Sequence, residues 1–297
     1  MPRILCGQMG WGKAMQNCKE QVICSYQELL AEGKHRLVDA GIADADLDSF
    51  LLLEHVTGMS RSRYFLKAGE PAAQPEAEEY RRLIGQRERH IPLQHITGEQ
   101  EFMGFPFYVD KHVLVPRQDT ESLVELALGY VGGKRVLDMC TGSGCIAVSL
   151  MLLGRPVSCC GADISGPALR LARRNAERNR AEVDFLQSDL FEKVTGKYDV
   201  IISNPPYIPS DVIEGLSEEV RGHEPYLALD GGEDGLLFYR LITKESVMHL
   251  SENGMLFYEI GSEQALDVIA IMEENGFRDV CCRKDYAGND RIVYGRL

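Results

Sequence analysis

The run Arg135-Val136-Leu137-Asp138-Met139-Cys140-Thr141-Gly142-Ser143-Gly144 reads as a strand entering a glycine-containing loop. The apolar stretch 145–153 after it reads as a helix. The same alternation continues downstream. A strand at 157–162 ends in Asp163, a helix covers 167–179, a strand at 183–186 ends near Asp189, and the run 198–203 ends at Asn204. Beyond these lie a helix at 236–250, a strand at 255–260, a helix at 263–275 and two closing strands, 280–284 and 291–295. Strands alternating with helices predict an α/β fold whose largely parallel sheet is covered on both faces.

In an open parallel sheet, ligands bind outside the carboxyl ends of the strands, where the strand order reverses. Asp138, Asp163, Asp189 and Asn204 fall at four successive carboxyl ends. Any one such acid is more often a strand-end solubiliser or a helix N-cap, so the coincidence of four carries the weight. Asp163 stands about 20 residues beyond Gly144, the spacing at which a strand-two acid accepts ribose hydroxyls.

Two cofactors fit this pattern. Gly142-x-Gly144-x-x-Ala147 matches the dinucleotide signature and keeps a nicotinamide reading open. Against it, an acid at Asp138, expected at the mouth of the loop, would repel a pyrophosphate. S-adenosylmethionine carries no phosphate, its amino-acid end offers an ammonium, and its sulfonium is a cation, so an acidic site suits it.

The stretch Tyr198-Asp199-Val200-Ile201-Ile202-Ser203 then runs into Asn204-Pro205-Pro206-Tyr207. Two prolines cannot donate to a continuing ladder, so the strand stops in a stiff elbow. An amide side chain, free carbonyls and an aromatic ring can together receive a planar NH2 group. The bland reading is a strand-ending turn, which Asn-Pro marks in any case.

Upstream the character changes. Residues 1–24 lack periodicity and are expected to form a disordered extension. Ser25-Tyr26-Gln27-Glu28 is a capping box, opening a helix expected to turn Leu29, Leu30, Leu37 and Val38 inward. Helices follow at 46–57 (Phe50, Leu51, Leu53 and Val56 inward), 61–67 and 76–90, making a helical domain over 25–91 whose Arg81, Arg82, Arg87 and Arg89 form a solvated face. Pro92 ends the helices. Residues 92–116, rich in Phe and Val around Gly104, read as a β-hairpin linker to a domain at 117–297, which opens with a helix carrying acids in its first turn, where the helix dipole favours them.

Composition narrows the function. A formal charge of -13 over 297 residues argues against affinity built on many phosphate contacts, so no direct nucleic-acid binding is expected. Nine cysteines without a C-x-x-C spacing suggest reduced thiols in the cytoplasm, and no metal-ligand set is visible. No apolar run reaches the ~20 residues that span a bilayer.

The segments Asp138-x-x-Thr141-Gly142-Ser143-Gly144 and Asn204-Pro205-Pro206-Tyr207 resemble those of class I methyltransferases that modify a planar nitrogen. Further segments narrow this to the release-factor glutamine methyltransferase family (PrmC/HemK): the helical N-domain, Gly98-Glu99-x-Glu101-Phe102, Pro116-Arg117-x-Asp119-Thr120-Glu121, and residues 283–291. The match runs from about residue 25 to the end. One residue departs from the family pattern: Cys140 stands at the first glycine of the loop, where a thiol would require the backbone to avoid positive φ.

The resemblance implies a Rossmann-like class I methyltransferase sheet and N5-methylation of the glutamine in the Gly-Gly-Gln tip of bacterial peptide chain release factors, by a cytoplasmic monomer. Cofactor contacts would come from Asp138, Cys140, Thr141, Gly142, Ser143 and Gly144, from Asp163 at the ribose, and from Asp189 and Leu190 at the adenine, with Asn204 alongside. The Asn204 side-chain oxygen and the Pro205 carbonyl would accept the hydrogens of the glutamine amide, with Pro206, Tyr207 and Phe102 packing around it. A glutamine methyltransferase acting on a large-subunit ribosomal protein shares this architecture. An adenine-N6 methyltransferase also uses such an elbow but needs a basic cleft, and a binding protein that lost activity would not need to keep the elbow.

Overall fold

A computed structural model describes residues 24–297, so the extension expected at 1–24 lies, apart from Cys24, outside the described residues. The chain divides into two compact units, one ending at Ile84 and one running from Gly85 to Leu297.

The first unit holds α1 (Tyr26–Asp39), α2 (Ala45–Thr57), α3 (Arg61–Lys67) and most of α4 (Gln74–Arg87). Its entry is the expected capping box: Glu28 accepts from the Ser25 amide at 2.8 Å, and Ser25 Oγ accepts from the Glu28 amide at 3.3 Å. The inward face of α1 differs from expectation, because Leu29 and Leu37 are buried while Val38 is 54% exposed. The face runs Leu29–Gly33–Leu37. Gly33 is needed there because a β-carbon on it would lie 2.0 Å from the hydroxyl of the buried Tyr80. On α2, Phe50 and Leu53 are buried as expected, and Leu52 joins them in place of Leu51. The arginines of α4 are not one solvated face. Arg81 makes paired hydrogen bonds to Glu32 and Arg82 to Glu79, while Arg87 is buried against Glu219 at 2.8 Å. That last contact lies within the second unit, which claims the final turn of α4.

Pro92 starts a helix where the sequence reading had it end them. It caps α5 (Leu93–Thr97), a position whose missing N–H costs nothing. β1 (Glu99–Phe102) and β2 (Phe105–Tyr108) form an antiparallel hairpin through Met103 and Gly104, both at positive φ, as a tight primed turn requires. Residues 113–115 are not a strand; Val109 and Val113 pack against Ala168 and Leu171. The hairpin is fastened to the sheet unit by Asn175, whose oxygen accepts from the Tyr108 amide and whose nitrogen donates to the carbonyls of Tyr108 and Ser143.

α6 (Gln118–Val131) leads into the sheet unit proper. The succession is β3 (Arg135–Met139), α7 (Cys145–Gly154), β4 (Ser158–Asp163), α8 (Gly166–Asn179), β5 (Asp184–Gln187), β6 (Tyr198–Ser203), α9 (Glu218–His223), α10 (Leu237–His249), β7 (Leu250–Glu259), α11 (Ala265–Glu274), β8 (Arg278–Lys284) and β9 (Asp290–Arg296). The seven strands lie in the order β5-β4-β3-β6-β7-β9-β8, parallel through β7, with β9 inserted antiparallel between β7 and β8. Alternation along the strands fills both faces: Val136, Val200, Ile202 and Phe257 join one core, and Leu137, Ile201, Leu256 and Tyr258 the other. Full burial of such side chains contributes about 1.5–3 kcal/mol each. The chain steps from β3 to β4 and β5 on one side, then returns to place β6 on the other. The loops after β3 and β6 therefore part, and a crevice opens between them.

Candidate active site

The loop after β3 is organised from beneath by Asp138. This carboxylate is wholly buried; its Oδ2 accepts from Thr141 Oγ1 at 2.5 Å and from the Ala147 amide at 3.2 Å. Asp138 thus stands behind the loop and not at its mouth, tying the turn to the start of α7. Burial pushes its pKa up to about 7, against the pull of those two donors, and among the described residues its Oδ1 has no hydrogen-bond partner. Cys140 does not avoid positive φ: it sits at φ 62, so the turn imposes the left-handed region on a residue that has a side chain. Such a position costs about 1–2 kcal/mol. Burial also pushes its thiol pKa upward. Gly142, at φ 54, has open space where a β-carbon would be, so the backbone is bare toward the crevice. Gly144 faces the other way, against Ala172 and Phe185.

At the end of β4, Asp163 spans two turns. Its Oδ2 accepts from the Gly142 amide and its Oδ1 from the Ser165 amide, each at 2.8 Å. Desolvation raises its pKa, while these backbone donors favour the charged form. A carboxylate offers about four acceptor sites, so it retains capacity for two hydroxyl groups. Asp189 is exposed beyond β5 and is followed by Leu190 at φ 43.

These elements surround a cavity of about 360 Å³. Cys140, Thr141, Gly142, Ser143, Asp163, Asp189, Leu190 and Asn204 all line it; Asp138 and Gly144 do not. Its charged lining is Asp163, Asp189 and Arg117, and Arg117 is already paired with the buried Glu224. Bare glycine backbone, acids at the rim and, among the described residues, no uncommitted Lys or Arg in the lining to meet a phosphate fit S-adenosylmethionine better than a pyrophosphate-bearing cofactor.

The elbow after β6 contributes Asn204 and Pro206 to the lining, whereas Pro205 is buried and Tyr207 half-buried behind them. Asn204 Nδ2 donates to Thr120 Oγ1 at 3.2 Å. Ser203 Oγ donates to the Met139 carbonyl at 2.7 Å, joining the ends of β6 and β3. Phe102 does not reach the cavity. It is 1% exposed and packs edge-on against Phe107, because the hairpin turns it into the core.

Several residues of this site escaped the sequence reading. Thr120 was seen only as part of a helix opening. The stretch Asp230–Gly235, with three glycines in six residues, went unassigned, although it holds the elbow's exit. A β-carbon on Gly231 would lie 2.8 Å from the Tyr207 backbone, and one on Gly235 would lie 2.4 Å from the Tyr207 carbonyl oxygen. Gln264 completes the clamp by donating to that carbonyl at 2.9 Å. The glycine density was the available signal. Ile164, 46% exposed beside Asp163, adds an apolar surface to the cavity wall.

Residues 28–98 match the family model of the PrmC N-terminal domain, and residues 120–216 match that of the methyltransferase small domain. A release factor glutamine methyltransferase from Agrobacterium fabrum is 42% identical over 275 residues, covering 90% of this chain and 95% of that protein. A methyltransferase from Pyrococcus furiosus shares the fold at 20% identity, with a TM-score of 0.51 over 66% of this chain and 90% of that one. The 16S rRNA N2 G1207 methyltransferase of T. thermophilus, solved with AdoMet and guanosine, is 16% identical with a TM-score of 0.50, over 67% of this chain and 49% of that one. On the strength of the first relative and both family models, the chain belongs to the release factor glutamine methyltransferase family.

Proposed function

We propose that this protein transfers a methyl group from S-adenosylmethionine to the side-chain amide nitrogen of the glutamine in the Gly-Gly-Gln motif of bacterial peptide chain release factors. The observation that carries this reading is Asn204: it lines the crevice beside the glycine loop with its amide nitrogen committed to Thr120. Its oxygen is therefore the atom left to accept from an incoming amide.

S-adenosylmethionine supplies an electrophilic methyl on its sulfonium. The protein has to hold a weak nucleophile against it, since an amide nitrogen shares its lone pair with its carbonyl. The Asn204 oxygen and the Pro205 carbonyl accept the two amide hydrogens and align the nitrogen, while Pro206 walls the acceptor and Tyr207 supports the elbow from behind. The bare backbone at Gly142 and its neighbours Cys140, Thr141 and Ser143 receive the amino-acid end, Asp163 the ribose hydroxyls, and Asp189 with Leu190 the adenine. Asp138 acts on the cofactor only through the loop it holds. Most of the acceleration comes from proximity and orientation. No base is needed before transfer, because the proton leaves once the nitrogen is methylated.

The helical unit recognises the release factor and the sheet unit binds the cofactor. With a formal charge of -13, the protein works on a protein acceptor, as a monomer in the cytoplasm, without gripping nucleic acid directly. Among the described residues no helix is long and apolar enough to cross a membrane.

The test offers labelled S-adenosylmethionine with purified release factor, ribosomes or adenine-containing DNA in separate reactions. Label on the release-factor glutamine, as a mass shift of one methyl, is the expected result. Label in ribosomes alone would redirect the assignment to a ribosomal-protein acceptor, and label in DNA alone would overturn it.

A further inference from the structure

Behind the elbow lies a buried carboxylate that the mechanism above does not use. β7 ends at Glu259, and its neighbour Tyr258 is in register with Ser203, so Glu259 comes to rest beside Asn204. Glu259 is 2% exposed, and Thr120, in the first turn of α6, is 3% exposed. Thr120 and Asn204 are the polar side chains that flank this carboxylate, and each favours its charged form. Among the described residues one of its oxygens, Oε2, has no hydrogen-bond partner. An under-satisfied buried charge lowers stability, so packing alone gives no reason to keep it.

We propose that Glu259, directly and through Thr120, is a positioning residue that locks the Asn204 carboxamide with its nitrogen inward and its oxygen toward the acceptor amide. This rests on the role given to Asn204 above. Hydrogen-bond polarity sets the orientation. An ionised carboxylate only accepts, and a threonine hydroxyl has one hydrogen to donate. With that hydrogen directed at Glu259, Thr120 Oγ1 can only accept from Asn204, as it does at 3.2 Å. Both neighbours of the Asn204 carboxamide are then acceptors, and only its NH2 can face them. Without the carboxylate, the threonine hydroxyl could donate to the Asn204 oxygen instead. The carboxamide would invert and present N–H groups to an acceptor amide that itself needs two acceptors.

The surroundings keep this switch close to neutrality. Arg291 and Asp119 act on Glu259 with opposite charges, and its negative charge in turn raises the pKa of Tyr207, Tyr239 and Cys145. Arg291 is shared among Asp285, Asp119 and the Ile260 carbonyl, so it neutralises Glu259 only in part. Burial pushes the Glu259 pKa up to about 7. Protonation gives it a hydrogen to offer Thr120 and removes the polarity that orients Asn204.

The experiment measures single-turnover methyl transfer to release factor at saturating cofactor, together with cofactor affinity and melting temperature. Thr120→Val keeps the shape and deletes the relay; it should slow transfer about tenfold or more while leaving cofactor affinity near normal. Thr120→Ser should restore most of the rate. The wild-type rate should rise with pH through about 7, and Glu259→Gln should be slower and lose that rise. A folded Thr120→Val variant with normal transfer, Val and Ser variants equally impaired, or a pH profile unchanged in Glu259→Gln would each overturn the proposal. Asn204→Ala, run in parallel, separates the two levels. If it transfers normally, the role of Asn204 itself is wrong. If it is inactive while the Thr120 and Glu259 variants are normal, only the positioning role fails.

Discussion

The glycine loop and the Asn204 elbow sit at the ends of adjacent strands, and each is backed by a fully buried acid whose pKa is pushed to about 7. They are built in opposite ways. Asp138 collects its partners from its own loop and the start of α7, three and nine residues along the chain. Glu259 has its polar neighbours on α6 and just past the end of β6, elements brought to it only by the tertiary packing. A locally closed loop presents backbone, which suits a cofactor of one fixed shape. An elbow braced by distant side chains presents one oriented amide, which suits recognition of another amide. The lesson is that the two halves of the reaction should fail separately.

The largest effect should come from the elbow. Asn204→Ala is expected to lower single-turnover transfer by about 10²–10³, with cofactor affinity changed by less than about tenfold, or 1.4 kcal/mol. If Asn204 merely shapes the turn before Pro205, melting temperature, affinity and rate will instead fall together.

The loop side should show the reverse pattern. Charge-assisted hydrogen bonds to two hydroxyls are worth about 1.5–3 kcal/mol each, so Asp163→Ala should weaken S-adenosylmethionine by roughly tenfold or more. Because Asp163 also ties Gly142 to Ser165, the melting temperature has to be followed alongside the titration. A folded variant with unchanged affinity by calorimetry would break the division between the halves.

The smallest effect tests the loop's local strain. Cys140→Gly and Cys140→Ala both remove the thiol, but only glycine relieves the positive φ. The glycine variant should be more stable than the alanine variant by on the order of 1 kcal/mol, read from denaturant melts. Equal stabilities would mean that the turn relaxes without cost.

Where the sequence reading failed, the cause was distance along the chain or dependence on neighbours. Phe102 looked like a substrate contact, yet the hairpin rotates it against Phe107. Arg87 looked solvated because its partner, Glu219, lies far along the chain. Val38 looked inward because periodicity alone did not register that Gly33 was making room for Tyr80. Cys140 was expected to avoid positive φ because its side chain disfavours it locally, and the closure of the loop by Asp138 and Asp163 prevailed.

By itself, the sequence determined the alternation of strands and helices, the acids at the carboxyl ends, the glycine loop and the elbow. All of these follow from local pattern, spacing and the geometry that proline and glycine impose. The tertiary structure decided which ends stand side by side. It inserted β9 between β7 and β8, moved Asp138 from the mouth of the loop to its foundation, and set Glu259 beside Thr120 and Asn204. The physical reason is that burial of a charge and the polarity of a hydrogen bond belong to groups meeting in space, and for groups distant along the chain the packing of strands and helices determines which meet.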